Sequence, residues 1–349
     1  MTMTKKLNTN LNLFCPRKNC PHHNNPNNKI TKDGCYTTIG DKEDRQMFRC
    51  CEGKHRFSET CFSGLWGKQG SFKEYEQAAK LFCYGLSIEA IADVLGKDAR
   101  TINSWLINMS KKSNLFHKMM CKNLTTVLSF IQMDELWSFL KKKKRQLWVF
   151  IGFDVDSRFW INFELGSRTN HNAKKLVTGI KAWLKNSVNQ KLKITTDKLA
   201  AYKNAIASIF SDIPHVYMQV VKRRKNKRLI TVEKCFVEGT AADFTGKTQN
   251  TSYIERFNLT LRQRTSYLCR KTLGFCKKQA NLEAVLWLNL FDYNYLRNHK
   301  GLRIAIDDGT EKKRFKRKWI HRTPAMALNL TTQVLTWRFL FVAPIPLTY

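Results

Sequence analysis

The sequence predicts a multidomain α/β protein whose largest unit is built on a mixed sheet, preceded by a cysteine-rich module and a helical module. Three observations lead to this reading. Cysteines crowd into the front of the chain, a pair of capped helices joined at a glycine follows them, and the middle reads as three strands in a row and then helix and strand in alternation. That last order is the one of a ribonuclease-H-like mixed sheet. The 349 residues leave room for two or three compact units. We divide them into 1–66, 71–110, 128–300 and a C-terminal tail, 301–349.

Charge narrows the class of partner. Lys and Arg number 61 against 27 Asp and Glu, a formal net charge of +34, with basic runs at 141–145, 222–228 and 312–318. A surface this positive repels itself unless a polyanion neutralises it, which points to nucleic acid rather than to a solvated basic surface or an anionic membrane. Hydrophobic residues make up 43% of the chain, enough for packed cores and too many for a disordered basic tail. The longest apolar stretch, 334–347, is broken by Arg338 and Pro344 and is too short to span a bilayer. Lys5 and Lys6 have no apolar run behind them, so no signal peptide is expected. The expected location is cytoplasmic, in association with the nucleoid, where thiols stay reduced.

Seven of the 11 cysteines lie in the first 83 residues, a clustering that suggests metal rather than disulfides. Cys15 and Cys20 form a close pair, and Cys50, Cys51 and His55 follow about thirty residues later. Zinc takes four soft or borderline ligands, usually as two close pairs on short hairpins. Cys15, Cys20, Cys50 and His55 supply that set, with Cys51 as the rival fourth ligand and Cys35 and Cys61 as packing thiols. A segment this polar has little core of its own and would need the metal to fold.

Residues 71–110 read as a helix-turn-helix. Gly85 ends a first helix; Ser87 caps a second, whose buried face is Ile88, Ile91 and Ala92; Gly96 makes the turn; and Asp98 caps a third. On the third helix Ile102, Trp105 and Leu106 face inward, and Arg100, Thr101, Asn103 and Ser104 face outward. Short polar groups on such a helix suit base edges in a major groove of double-stranded DNA.

In the main unit, strands are expected at 127–133, 147–153, 159–165, 192–197 and 215–221, with helices at 171–186, from 199, and at 252–268. Acids are scarce here, so their places matter. Asp134 and Asp197 each end an apolar strand, and on the helix at 252–268 Glu255, Asn258 or Leu259, and Arg262 share a face beside the apolar stripe at helical spacing. Glu135, Asp154 and Asp156 are the neighbouring acids that read as surface or capping residues. Three carboxylates from two strands and a helix can hold two hard cations, the arrangement that phosphoryl transfer on DNA requires, and a nearby Arg can hold a phosphate. A helix at 280–295 carries a stripe of Leu282, Val285, Leu286 and Leu290 that serves either the core or a contact between subunits.

The blocks beginning at Asp134 (Asp-Glu-Leu-Trp-Ser-Phe), at Thr196 (Thr-Asp-Lys-Leu-Ala-Ala-Tyr) and at Thr251 (Thr-Ser-Tyr-Ile-Glu-Arg-Phe-Asn-Leu-Thr-Leu-Arg-Gln) resemble the three catalytic blocks of the insertion-sequence-one family of bacterial transposases. The last block continues from Arg270 as Arg-Lys-Thr-Leu-Gly-Phe-Cys, and the run from Arg322 to Thr331 resembles the family's ending. The resemblance spans residues 15 to 336 and takes in the zinc knuckle and the helix-turn-helix. It implies an Asp-Asp-Glu transposase using magnesium or manganese, with Asp134, Asp197 and Glu255 as metal ligands and Arg262 as the basic residue that follows the glutamate. Such an enzyme binds the terminal inverted repeats of its element, nicks them to free 3′-hydroxyls and joins these to target DNA, working as a dimer or larger assembly because two ends are handled together. The competing readings are a DNA-binding regulator whose catalytic unit has decayed, and a metal-dependent nuclease that cuts without joining.

Overall fold

The computed structural model describes residues 13–23, 25, 29–37, 44–67, 70–184, 191–226, 228–269, 273–306 and 318–345. The basic run at 312–318 and the Arg-Lys-Thr stretch at 270–272 fall largely or wholly outside them.

The amino-terminal module is a three-stranded antiparallel meander, β1 (Ile30–Thr37), β2 (Asp44–Cys50) and β3 (His55–Ser58). Its core is small, made of Phe14, Phe57 and Phe62 together with Cys15, Cys20 and Cys50. Three helices follow, α1 (Phe72–Cys83), α2 (Ile88–Leu95) and α3 (Ala99–Lys122). The caps fall where the sequence places them. Ser87 Oγ accepts from the Ala90 amide at 3.2 Å, Asp98 Oδ1 accepts from the Arg100 amide at 2.7 Å, and Gly96 turns the chain with φ +60°.

The third helix does not stop near 110. It runs for 24 residues, and its second half belongs to the core of the main unit. Phe116 packs edge-on against Phe291, Tyr295 and Phe339. His117 is buried, its ring stacked on Phe159. Its Nε2 sits 2.8 Å from the Ile161 carbonyl, which can only accept, so Nε2 carries the proton and Nδ1 accepts from the Tyr295 hydroxyl at 3.1 Å. Burial pushes the His117 pKa down from 6.5 to about 4. The unfolded chain therefore takes up this proton first as pH falls. The contribution is complete above about pH 6.5 and is lost on the way to 4, some 2–3 kcal/mol by pH 4.5. Denaturant titrations at pH 7 and 4.5 should show that loss in the wild type and a smaller one in His117→Leu.

The main unit holds a six-stranded mixed sheet in the order β6-β5-β4-β7-β8-β9. Its strands are β4 (Phe130–Phe139), β5 (Gln146–Asp154), β6 (Trp160–Gly166), β7 (Leu192–Thr196), β8 (His215–Lys225) and β9 (Arg228–Glu238). The first three are antiparallel, β7 and β8 run parallel to β4, and β9 returns antiparallel along β8. The first five strands thus take the ribonuclease-H-like order. Helices α4 (Asn170–Lys181) and α5 (Ala200–Ile209) cover one face, where Gly152 leaves room for Ile180: a Cβ there would come within 2.5 Å of it. Helices α6 (Ser252–Arg264) and α7 (Gln279–Phe291) cover the other, with Phe153 stacked on Phe257 and Phe163 against Trp287.

Three elements differ from the sequence expectation. β4 continues five residues beyond Asp134, because Leu136, Ser138 and their neighbours go on pairing with β5. β9 was not expected. The basic run at 222–228 is the tip of a hairpin, closed where Lys225 faces Arg228 and turned through Asn226 at φ +49°. The segment after 300 is not a loose tail: α8 (Pro324–Ala327) and α9 (Trp337–Val342) are built into the core through Ala325, Trp337, Leu340 and Phe341. Lys112 of α3 ties this end to the front of the chain. Its buried ammonium donates to the Phe62 carbonyl and, at 2.5 Å, to that of Phe341, and burial drives its pKa well down. The apolar stripe on α7, Leu282, Val285, Leu286 and Leu290, is buried, so it forms core. Among the described residues, no helix is long and apolar enough to cross a membrane.

Candidate active site

Side chains alternate along β4, and this sorts its polar residues. Gln132, Asp134 and Ser138 face α6. The buried Gln132 side chain donates to the Asn250 carbonyl at 2.5 Å and accepts from the Ile254 amide at 2.9 Å, docking the first turn of α6 on the strand. Ser138 donates to the Tyr267 carbonyl at 2.7 Å. Between them Asp134 Oδ2 accepts from Asn258 Nδ2 at 2.8 Å, and Oδ1 accepts from the Glu135 amide at 2.9 Å.

The parallel pairing of β4 with β7 ends at Met133 and Thr196. Asp134 and Asp197 are the next residue on each strand, at the point where the sheet splits. Oxygens of Asp134, Glu135 and Asp197 lie within 4.8 Å of one another. Arg168, in the loop after β6, reaches in to hold the cluster: Nη2 is 2.5 Å from Glu135 Oε1 and 3.8 Å from Asp197 Oδ2.

Burial and mutual repulsion set the electrostatics. Asp134 is pushed from 3.8 up to about 7, first by burial and then by the carboxylates of Glu135, Asp197 and Glu255. Glu135 and Asp197 are also raised, chiefly by burial, with Arg168 pulling the other way on both. A trio of hard oxygen donors that burial makes costly to ionise together fits a divalent cation.

Glu255 stands outside this trio. Thr251 Oγ1 donates to its Oε1 at 2.5 Å, and Lys222 of β8 pairs with the same oxygen. It is close enough for its charge to be felt at Asp134. Arg262 lies two turns further along α6, where its Nη1 donates to the Leu268 carbonyl at 2.7 Å. Of the expected set, the structure brings Asp134 and Asp197 together, sets Glu255 at the side of the same cleft, and directs a guanidinium nitrogen of Arg262 to backbone. Sequence reasoning set Glu135 aside as a surface or capping acid and did not single out Arg168 or Lys222. Glu135 had a signal in its adjacency to Asp134 at a strand split; Arg168 and Lys222, on a loop and in a basic run, had none. Asp154 is structural, its Oδ2 accepting from the Ser157 amide at 2.8 Å to close the β5–β6 turn. Asp156 accepts from Ser129 Oγ at 2.5 Å.

In the amino-terminal module, Cys15, Cys20 and His55 offer ligand atoms within 4.8 Å of one another, and Cys50 Sγ is 4.0 Å from Cys20 Sγ. Cys50 and His55 face each other across the β2–β3 pairing. Gly53 closes the turn between them, its amide donating to Cys50 Sγ at 3.2 Å. A Cβ on Gly53 would fall 2.8 Å from Cys20 Sγ and 2.9 Å from His55 Nε2. Three thiols and an imidazole gathered in this way, soft and borderline donors in the number that zinc takes, fit that metal. Cys51 points elsewhere, 3.6 Å from Thr31 Oγ1. On α3, Arg100 is exposed and Thr101, Asn103 and Ser104 are half-buried.

A mixed sheet of ribonuclease-H-like order, with carboxylates gathered where its parallel strands part, defines an α/β protein built around an acidic cleft. Residues 127–238 match the family model described as IS1 transposase. No curated protein matches the chain. Among solved structures, a Mos1 mariner paired-end complex with Mn matches at 11% identity and a TM-score of 0.21, over 43% of this chain and 60% of that one. A Mos1 strand transfer complex matches at 10% identity and a TM-score of 0.22, covering 66% of this chain and 81% of that one. The catalytic domain of the Mos1 mariner transposase matches at 10% identity and a TM-score of 0.22, over 53% and 87%.

Proposed function

We propose that the protein is a DNA transposase that binds the terminal inverted repeats of its element, nicks them to free 3′-hydroxyls and joins these to target DNA. The observation that carries this reading is the acid cluster at the β4–β7 split, inside the segment of IS1 transposase type.

Asp134, Asp197 and Glu255 would hold magnesium or manganese, which when bound activates the attacking oxygen and stabilises the leaving one. Asn258 fixes the rotamer of Asp134 through Oδ2. Arg168 keeps Glu135 turned beside the cluster and offsets its charge. Lys222 and Thr251 hold Glu255 at the cleft, and Lys222 belongs to the basic β8–β9 hairpin that supports contact with the DNA backbone. Arg262 follows Glu255 on the same helix and supports a phosphate-holding role near the cleft.

Cys15, Cys20, Cys50 and His55 would hold structural zinc. Helices α1 to α3 act as a helix-turn-helix in which Arg100, Thr101, Asn103 and Ser104 meet base edges. Two ends handled together call for at least a dimer.

The test is a cleavage and joining assay on labelled DNA carrying the element's terminal repeats, with magnesium, with manganese and with chelator. Metal-dependent nicks at the repeat boundary followed by joined products are expected. Tight binding with no cleavage in either metal would overturn the reading in favour of a regulator.

A further inference from the structure

The flank of α6 turned away from Glu255 lines a second, cationic cavity. Tyr253, Arg256 and Thr260 share that flank at helical spacing, whereas Ile254 and Asn258 face β4. The cavity is about 400 Å³ and is closed by Arg158 from the β5–β6 turn and by Arg297, His299 and Lys300. None of its lining residues is acidic.

Two of its guanidinium groups have a buried nitrogen without a partner among the described residues. Arg158 adopts φ +60°, a conformation uncommon outside glycine, and its guanidinium lies over the Tyr253 ring at 3.6 Å. Nη1 of Arg158 and Nη1 of Arg297 are both buried with no hydrogen-bond partner among the described residues. A buried donor left unmade is costly, and two of them on cations in one cavity call for an anionic acceptor. Asp292 is not among the lining residues; its Oδ2 takes Arg264 Nη1 at 2.5 Å and stands 4.0 Å from Arg297 Nε. Burial first, and then the charges of Arg297, Arg158 and Arg264, hold His299 down at about 4, so the field at this wall of the cavity is positive.

We propose that this cavity is a phosphate pocket that grips the backbone of a DNA strand beside the acidic cleft, with the Arg158 and Arg297 forks on the phosphate oxygens and Tyr253 against the sugar or base. The choice of DNA over a free anion rests on the function proposed above. A helix is about 10 Å across, so a strand laid over the start of α6 reaches both flanks within about three nucleotides.

The test measures binding of the full-length protein to a labelled duplex of arbitrary sequence, without added divalent metal, over a range of chloride concentrations. Each phosphate contact contributes about 0.9 to the slope of log affinity against log salt. Arg158→Gln should lower that slope by about one and the affinity about tenfold. Arg158→Lys keeps the charge but not the fork or the stacking, and should lose nearly as much affinity. Wild-type affinity in Arg158→Lys would show bulk charge at work and overturn the pocket. Should Arg158→Gln fail to fold, the exposed Arg256→Gln carries the same expectation, and an unchanged slope there overturns it too. Inorganic phosphate at matched ionic strength should compete with DNA for the wild type and not for Arg158→Gln. Phosphate binding at Arg158 with no change in the DNA slope would assign the cavity to small anions and overturn the assignment to DNA. A wild-type protein that never nicks DNA, together with a loss of slope in Arg158→Gln, would sink the catalytic reading and leave the pocket standing.

Discussion

Asp134→Asn should abolish nicking and joining, by about a thousandfold or more, while DNA affinity and its salt dependence stay at wild-type values. The same substitution should make the metal-free protein more stable above neutral pH. In the folded chain Asp134 gives up its proton near 7, against 3.8 in the unfolded one. An acid whose folded pKa is raised stabilises the fold at low pH relative to high pH. The contribution is complete below about 4 and is lost as pH rises to 7, up to about 4 kcal/mol. Thermal melts at pH 8 without divalent metal should therefore place Asp134→Asn several degrees above wild type. Magnesium or manganese should raise the wild type and leave the variant nearly unmoved. Equal melting temperatures for the two metal-free proteins would contradict the electrostatic account of the cleft.

The second large effect concerns the amino-terminal module. Its described core is three phenylalanines and three thiols, too little to hold a sheet of this size without help. Cys20→Ser should drop the zinc content from about one ion per chain to near zero and unfold the meander. The damage should spread, because the Phe62 carbonyl takes the buried Lys112 ammonium and Glu59 accepts from Arg338 of α9 at 2.9 Å. Once the Phe62 carbonyl moves away, the buried Lys112 amine loses one of its two acceptors, a change worth about 1–3 kcal/mol. Cys51→Ser should leave zinc content and stability unchanged, since that thiol faces Thr31. Metal analysis of the two purified variants checks both statements, and zinc loss in Cys51→Ser with retention in Cys20→Ser would reverse the ligand assignment.

How much was legible in the sequence follows from the range of the interactions involved. Caps and turns are local, and Ser87, Gly96 and Asp98 act where the sequence places them. Strands with apolar runs were legible, and so was the carboxylate at the end of β7, because parallel pairing brings its end beside Asp134. The ninth strand was not: the basic run at 222–228 leads straight into it, and its own residues mix Arg228, Glu233, Lys234 and Glu238 with apolar ones. Its exposed Leu229, Ile230 and Val232 show why burial could not signal it. The length of α3 was hidden for another reason. Its second half is amphipathic toward α7 and α9, where Phe116 meets Phe291 and Phe339, 175 and 223 residues further along, and no local pattern announces such a partner. The place of Glu135 was not legible, because strand alternation sends it to the opposite face from Asp134, and only the split between β4 and β7 lets both carboxylates reach Asp197. Arg168 and Lys222 come from a loop and a hairpin whose positions depend on the closed sheet.

In the proposed enzyme Asp134, Asp197 and Glu255 together hold the divalent metal, although the metal-free fold groups Glu135 with the two aspartates and ties Glu255 to Lys222. A crystal of the protein soaked in manganese, with anomalous scattering recorded, tests this directly. The expected result is a manganese peak coordinated by Asp134 and Asp197, with Glu255 freed from Lys222 and joined to the same site. A peak held by Asp134, Glu135 and Asp197 with Glu255 still paired to Lys222, or no peak in the cleft, would contradict it.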